Sequence, residues 1–254
     1  MTGDRQAPRD ANPDHYSYAH YASRDVAEGF DALRFSGPIG QHLQRVQERL
    51  LFEVLAPLQG REVLDVGAGT GRVSLALASK GAIVHGLDAS AEMLDVARDR
   101  AAKAGLPIRF DVADAHALPV ADRSVDTAVC FRLLMHVIDW PKCVGELCRV
   151  ARHRVVIDFP AAASAAAVES LVRRRRQAAG QRVEAYRVLR EADVRHVLAA
   201  HGYRVVLVRR QFVLPIAVHK AIGRLPFSLG VERTLEAVGL LRLLGSPVTM
   251  VAER

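Results

Sequence analysis

The hydrophobic positions along this 254-residue chain follow a helical period first and change to short strand-like runs later. Between residues 39 and 55, apolar residues recur every three or four positions, as in a helix that buries one face. They are Ile39, Leu43, Val46, Leu50, Leu51, Val54 and Leu55. Pro57 and Gly60 follow directly and end this predicted helix.

From Glu62 onward, short apolar runs alternate with segments of helical spacing. The predicted strands read EVLDV, AIVHGLD, a run inside PIRFDVAD, SVDTAVCF and RVVIDF. The helices between them read RVSLALASK, SAEMLDVARDRAAKA and WPKCVGELCRV, with Ser90 as an N-cap and Gly105 just past a C-terminus. Strands that alternate with helices at this spacing predict an α/β fold, in which helices cover both faces of a parallel sheet.

The two ends of the chain have a less regular pattern. Residues 1–14 are polar and predict a disordered tail, and residues 15–59 predict an N-terminal helical cap on a main domain over residues 60–254. Near the end of that domain, READVRHVLAAHG predicts a helix, and YRVVLVRRQF and SPVTMVAER predict two final strands. A basic and apolar insert, residues 213–244, separates those two strands.

Composition and charge narrow the class of protein. Half of the residues are hydrophobic and a quarter are charged, which is typical of a globular domain. The net charge of +7 admits nucleic acid or an anionic membrane as a partner, or an ordinary protein of an arginine-rich proteome. The three cysteines contain no C-x-x-C pair, which argues against a disulfide framework or a zinc site. There is no signal-peptide core and no run of about 18 apolar residues, so we expect a cytoplasmic protein.

A glycine-rich loop follows the first predicted strand, in the stretch VLDVGAGTGRV. Gly67, Gly69 and Gly71 allow the backbone to come close to a ligand. The helix that begins near Arg72 presents its free N–H groups to the same place, which suits a carboxylate or a phosphate. The loop therefore predicts an anion-bearing ligand.

Three acidic residues lie where the first three predicted strands end. Asp65 and Asp88 close the first two strands, and Asp114 follows the third. Open α/β sheets bind ligands at the carboxyl ends of their strands, so we expect these side chains to face the glycine loop. A carboxylate at the position of Asp88 commonly holds the two hydroxyls of a ribose, and Asp114 can accept a hydrogen bond from an adenine amino group. The pattern therefore predicts a nucleoside ligand.

The spacing of the loop separates the nucleoside candidates. The fingerprint of NAD-binding proteins has two residues before its last glycine, whereas only Thr70 lies between Gly69 and Gly71 here. A Walker loop needs a Gly-Lys-Ser/Thr sequence, which does not follow. The tight spacing favours a ligand without a pyrophosphate.

In order, content and spacing of motifs, residues 60–160 resemble the class I S-adenosylmethionine (SAM) methyltransferases. The resemblance is to the ubiquinone/menaquinone-biosynthesis (type 11) branch and its small-molecule relatives, through VLDVGAGTGRVSLALASKGAIVHGLDASAEMLDVAR and DVADAHALPVADRSVDTAVCFRLLMHVIDWPKCVGELCRV. It implies a Rossmann-like, seven-stranded, mostly parallel sheet of order 3-2-1-4-5-7-6 with an antiparallel last strand. It also implies SAM as the cofactor and S-adenosylhomocysteine (SAH) as the product. No acidic cluster of suitable spacing accompanies His15 and His20, so we predict that no metal takes part.

The resemblance assigns cofactor contacts to the matching positions of this chain. Asp65 and the glycine loop would hold the methionine part of SAM, Asp88 the ribose hydroxyls, and the others the adenosine or the methyl end. The matching positions are Asp65, Gly67, Ala68, Gly69, Thr70, Gly71, Asp88, Ala89, Met93, Asp114, Ala115, Phe131 and Arg132. One departure is the link before the fifth strand, where relatives often carry Lys-Pro-Gly-Gly and this chain has only ARHR.

The candidates for the acceptor side each have two interpretations. His136 is either a general base or a structural residue that caps the next turn, as Asp139 also does. Asp158 either faces the acceptor or caps the following helix. Three tyrosines lie near the N-terminus: Tyr16, Tyr18 and Tyr21. They either line an acceptor pocket, or contact the SAM carboxylate, or pack an N-terminal helix. The run Arg173–Arg176 goes right round a helix, so a solvated face is favoured over a phosphate clamp.

The role of the insert and the identity of the acceptor stay open in the sequence. The insert is a lid over an apolar acceptor, an interfacial helix on a membrane, or a packing or dimer surface. We predict methyl transfer to oxygen, carbon or nitrogen of a small acceptor, apolar or aromatic, by a monomer or homodimer. The alternatives are a nucleic-acid methyltransferase, which FRLLMH after the fourth strand disfavours, and a non-catalytic SAM-binding protein.

Overall fold

The computed structural model describes residues 36–179 and 186–254. The predicted tail, residues 1–14, and the first part of the predicted cap lie outside these ranges, so the division into tail, cap and main domain stays a prediction. The strands are β1 (Glu62–Val66), β2 (Ile83–Asp88), β3 (Arg109–Val112), β4 (Val125–Cys130), β5 (Ala151–Phe159), β6 (Arg204–Phe212) and β7 (Ser246–Glu253). The helices are α1 (Gly37–Leu55), α2 (Arg72–Ala78), α3 (Ala91–Lys103), α4 (Trp140–Val150), α5 (Ala166–Ala178), α6 (Glu191–Ala200), α7 (Ile216–Ile222), α8 (Leu225–Ala237) and α9 (Leu240–Leu244).

The seven strands form one sheet of order β3-β2-β1-β4-β5-β7-β6, which confirms the predicted topology. β1 lies parallel to β2 and β4, with Leu64 opposite His85 on one side and Ala128 on the other. β7 is antiparallel to both β5 and β6. The carboxyl ends of β1, β2, β3 and β4 therefore meet at one edge, where the glycine loop and the predicted acidic residues lie.

Local sequence signals explain where the helices begin. The side chain of Ser90 accepts a hydrogen bond from the N–H of Met93 at 3.1 Å, which confirms the predicted N-cap of α3. Asp139 caps α4 in the same way, through the N–H of Lys142 at 3.1 Å. α4 then buries Cys143, Val144 and Leu147 against the central strands, because these positions share one face of the helix.

The segment ARHR is part of a strand and not a link. α4 ends at Val150 and β5 begins at Ala151, with no loop between them. Arg152 binds Glu62 of β1 at 2.8 Å and Asp126 of β4 at 3.1 Å. These ion pairs hold the start of β5 in an extended conformation, which replaces the glycine turn that relatives often carry.

The insert between β6 and β7 forms three helices, as predicted for a helical insert. α7 packs against the N-terminal helix α1, and α8 contributes to the same contact. The residues at this contact are Ile39, Leu43, Val46, Phe212, Ile216 and Leu225. Within the described ranges, no helix is long and apolar enough to cross a membrane. The packing places α1 and the insert over the edge of the sheet that carries the glycine loop.

Candidate functional site

The glycine loop is held against the end of β2 by backbone hydrogen bonds. The N–H groups of Gly67 and Ala68 both donate to the carbonyl of Leu87, at 2.8 and 3.0 Å. Gly69 has φ +54°, and a side chain added there would have nothing within 4 Å, so the loop borders open space at this point. Gly71 has φ +80°, and a Cβ there would lie 2.7 Å from Leu75 and 2.9 Å from Ala97. Only glycine therefore fits at position 71.

Asp88 joins the glycine loop to the start of α3. One carboxylate oxygen accepts the N–H of Gly69 at 2.8 Å, and the other accepts the N–H of Ser90 at 2.9 Å. Burial raises the pKa of Asp88, and these backbone donors counteract part of that effect. Each carboxylate oxygen can accept more than one hydrogen bond, so Asp88 keeps capacity for two ligand hydroxyls.

Asp114 is paired with His116, a residue that the sequence analysis did not select. One oxygen of Asp114 accepts both the backbone N–H of His116 at 2.9 Å and the ring Nδ1 at 2.7 Å. Nε2 of His116 accepts the N–H of Asp139 at 3.3 Å, so the ring carries its proton on Nδ1. Burial raises the pKa of Asp114, but the hydrogen bonds from His116 outweigh burial and leave it lowered. Asp114 is therefore an ionised acceptor in a fixed orientation.

These residues border a cavity of about 440 Å³ at the carboxyl edge of the sheet. Most of the predicted cofactor residues line it, together with the candidate base: Gly67, Ala68, Gly69, Thr70, Asp88, Ala89, Met93, Asp114, Ala115, Phe131, Arg132 and His136. Its far wall comes from α1, α5 and the insert, which are distant in sequence. One end of the cavity is therefore bordered by the glycine loop and the acidic strand ends, and the far end by α1, α5 and the insert.

Comparisons with known proteins match this geometry. Residues 63–154 match the family model described as "Methyltransferase domain". The chain is 41% identical over 118 residues to the methyltransferase GfsG of Streptomyces halstedii, covering 45% of this chain and 42% of that protein. It is 45% identical over 96 residues to the ubiquinone biosynthesis O-methyltransferase of Paracidovorax citrulli, covering 37% and 40%. The matches span about two fifths of these relatives' own length.

Two solved structures have the same fold at low sequence identity. Magnesium protoporphyrin IX methyltransferase (ChlM) from Synechocystis PCC 6803 with bound SAM has a TM-score of 0.62 at 19% identity, covering 97% of this chain and 99% of that chain. The [4+2]-cyclase SpnF has a TM-score of 0.65 at 19% identity, covering 94% and 95%. The predicted resemblance to class I methyltransferases is confirmed.

Two predicted cofactor contacts lie outside the cavity wall. Asp65 is buried beneath the loop, where it accepts a hydrogen bond from the hydroxyl of Ser74 at 2.6 Å. Burial raises the pKa of Asp65 to about 6, although the Ser74 hydrogen bond lowers it. Gly71 also lies off the cavity wall and packs α2 onto α3. Both residues support the loop in this structure, and their contact with a cofactor stays a prediction.

Asp158 also differs from its predicted roles. It is buried below Arg132, whose backbone N–H donates to the Asp158 carboxylate. It borders a second cavity of about 20 Å³ and not the main one. Arg132 has φ +61°, a left-handed conformation that costs a non-glycine residue roughly 1–2 kcal/mol. The hydrogen bond to Asp158 offsets part of that cost, so Asp158 supports Arg132 in this structure, and its contact with the acceptor stays a prediction.

His136 is buried and lines the cavity, and its backbone N–H donates to the carbonyl of Leu133 at 2.8 Å. Asp139 is the N-cap of α4. Its action as a base stays a prediction. Tyr16 and Tyr21 lie outside the described residues.

Several cavity residues were not found by the sequence analysis. No local motif distinguishes these residues, which are Gln47 of α1, Leu214 of the insert, and Tyr186, which precedes α6. Arg173 was grouped with a solvated run, but it lines the cavity and pairs with Glu169 at 2.7 Å. The next three arginines of α5 are exposed, as predicted. A helical projection of the run would have separated Arg173 from its neighbours.

Proposed function

We propose that this protein is a SAM-dependent methyltransferase that transfers a methyl group to oxygen, carbon or nitrogen of a small organic acceptor and releases SAH. The observation that carries the proposal is the carboxylate of Asp88, held by the N–H groups of Gly69 and Ser90 at the rim of the cavity. This carboxylate faces the same space as the open glycine loop. The combination suits a ribose beside a small charged tail.

The residues at the rim fit SAM. The glycine loop would hold the methionine end, because Gly69 leaves room where any side chain would project. Asp88 would accept the ribose hydroxyls, and Met93 and Ala89 would flank the adenosine. Asp114, oriented by His116, would accept the adenine amino group. SAM supplies the methyl group on a sulfonium, so the protein mainly orients the acceptor and excludes water.

The far chamber supports a small acceptor over a nucleic acid. Its walls come from α1, the loop after β4 and the insert, and they are mostly apolar side chains such as Leu43, Met135 and Ile216. The sequence after β4 reads FRLLMH, which lacks the Asn/Asp-Pro-Pro-Tyr/Phe motif of enzymes that methylate amino groups of bases. We propose that the insert acts as one wall of the acceptor pocket.

Within this proposal, His136 acts as a general base when the acceptor is an alcohol or a carbon acid. The support is its position in the cavity wall and its burial. A phenol or enol acceptor ionises easily and needs less help. We also propose a cytoplasmic location, because the three cysteines are free, buried thiols, as is typical of a reducing compartment.

Calorimetric titration tests the proposal. We expect SAM and SAH to bind, and Asp88→Ala to weaken both by at least tenfold. Asp193→Ala is the matched control, because the Asp193 side chain lies on the outer face of α6, where it pairs with the exposed side chain of Arg190. Transfer of labelled methyl from SAM into a metabolite extract then tests turnover. Absence of binding by both SAM and SAH overturns the proposal, and binding without transfer shows a SAM-binding protein of another function.

A further inference from the structure

The cavity combines apolar walls with several charged side chains. Among the described residues that line it, the cationic ones are Arg72, Arg132, Arg173 and Lys220, and the carboxylates are Asp88, Asp114 and Glu169. Asp88 and Asp114 are the proposed cofactor contacts, so the positive charges outnumber the carboxylates that remain for an acceptor. Glu169 already pairs with Arg173, at 2.7 Å. A neutral acceptor gains nothing from such a charge excess, whereas an anion placed among apolar walls is attracted strongly because water screens it poorly.

Arg132 is the best placed of these cations. Its backbone is fixed in the left-handed region by the hydrogen bond from its N–H to the buried carboxylate of Asp158. Its side chain borders both the main cavity and the small one beneath it. In the described part of the chain, no hydrogen bond or ion pair joins its guanidinium to another residue. The planar group therefore keeps its donors for a ligand.

Tyr186 lies beside these arginines and supplies a neutral donor. The guanidinium of Arg173 lies over its ring, 5.0 Å from the centroid, and the hydroxyl of Ser170 donates to its carbonyl at 2.8 Å. Burial raises the pKa of the Tyr186 phenol, while the charges of Arg132 and Arg173 act in the opposite direction. The phenol is thus protonated at neutral pH and can donate a hydrogen bond into the cavity.

We infer that the methyl acceptor carries a carboxylate on an apolar body, and that Arg132 and Tyr186 bind this carboxylate. A guanidinium in fixed orientation matches the two oxygens of a carboxylate, and the phenol adds a third hydrogen bond. The charge of Arg173 strengthens the site from behind the tyrosine ring. This inference rests on the proposed function, and it assigns a substrate class to the same cavity.

A matched pair of probes tests the inference in the SAH-saturated protein. We expect 2-naphthoate to bind at least ten times more tightly than the neutral 2-naphthamide, measured by calorimetry. Arg132→Gln should remove that preference, Arg132→Lys should keep part of it, and Tyr186→Phe should reduce it severalfold. Arg174→Gln is the control, because it removes the same charge from an exposed position of α5.

The outcomes separate this inference from the proposed function. The Arg132 variants should keep the far-UV circular dichroism spectrum and the Tm of the parent, which shows that they are folded. Because Arg132 is also a predicted cofactor contact, the SAH affinity of each variant is measured first, and SAH is then held at saturation in every probe titration. Equal binding of the two probes, or failure of both to bind while SAH binds, overturns the inference alone. A metabolite extract split on an anion exchanger gives a second test. The labelled methyl group should be transferred to metabolites in the retained, anionic fraction. Transfer only to metabolites in the flow-through would overturn the carboxylate assignment.

Discussion

At the residue scale, the glycine loop shows how two glycines in one turn serve different purposes. Gly69 borders open space, so the absence of a side chain there leaves room for a ligand. Gly71 is enclosed by Leu75 and Ala97, so the absence of a side chain there allows α2 to pack against α3. A substitution at either position should therefore affect a different property: ligand affinity at Gly69 and stability at Gly71.

Gly71→Ala should lower the free energy of unfolding by about 2–4 kcal/mol, from overpacking and from the left-handed backbone together. Gly60→Ala is the matched control, because Gly60 has φ +71° with nothing within 4 Å of an added Cβ. It should cost only about 1 kcal/mol. Urea denaturation of both variants measures the difference, and equal losses would contradict the packing explanation.

The raised pKa of Asp65 leads to a prediction about how the stability of the protein depends on pH. The folded protein holds a proton on Asp65 up to about pH 6, whereas the unfolded chain releases it near the usual value of 3.8. Stability should therefore fall as pH rises through this window, because the folded state binds more protons there. Asp65→Asn keeps an acceptor for Ser74 and removes the buried charge, so at pH 7.5 it should be more stable than the parent by about 2 kcal/mol.

Thermal and urea unfolding between pH 4.5 and 7.5 measures this effect. Asp126→Asn is a control of opposite sign, because the N–H of Glu62 holds the pKa of Asp126 below its usual range. That variant should lose stability at neutral pH. A loss of stability in Asp65→Asn at pH 7.5 would show that the Asp65 charge itself is needed by the fold.

At the element scale, one carboxylate joins three segments of the insert. Glu232 of α8 accepts hydrogen bonds from the N–H groups of Val213 and Leu214, which follow β6, both at 2.9 Å. It also contacts Nε2 of His219 in α7 at 3.0 Å. Val213 and Leu214 line the cavity, so Glu232 positions one part of the cavity wall although it does not line the cavity itself.

Glu232→Gln should weaken this attachment, because one amide oxygen replaces two charged acceptors. We expect a loss of about 1–3 kcal/mol in local stability, seen as faster hydrogen exchange at Val213 and Leu214. SAH affinity should stay within threefold of the parent. Glu236→Gln, on the exposed side of α8, is the control. Unchanged exchange in the Glu232 variant would contradict the positioning role.

At the scale of the whole molecule, the sheet order brings one end of four parallel strands under α1 and the insert. The [4+2]-cyclase SpnF has the same fold, so the architecture alone does not decide the reaction. The reaction depends on which ligands the cavity binds. Ligand binding can be measured through its effect on the stability of the protein.

SAH at a hundred times its dissociation constant should stabilise the protein by about 2.7 kcal/mol, which corresponds to a rise of roughly 5–10 °C in Tm. NAD should give no comparable rise, because the loop lacks the third-glycine spacing of NAD sites. Differential scanning calorimetry measures both. The shift should be reduced in Asp88→Ala, and a larger shift with NAD than with SAH would refute the cofactor assignment.

The sequence by itself was sufficient for the glycine loop, the acidic strand ends and the sheet topology. The φ of Gly69 and Gly71, the N-cap at Ser90 and the acidic residue at the end of β2 are local properties, set by neighbours within a few residues. Strand and helix periods repeat every two or about four residues, so they too are readable without a structure. The strand order came from the resemblance carried by those same motifs.

Only the tertiary structure showed which residues form the far wall of the cavity and where Asp65 and Asp158 lie. Gln47, Tyr186 and Leu214 are far apart in sequence and meet only because α1 and the insert pack over the sheet edge. Whether a carboxylate at a strand end faces a ligand or supports a loop depends on which side chains pack against it, such as Ser74 on Asp65. Such contacts follow from the packing of distant segments, which no local pattern encodes.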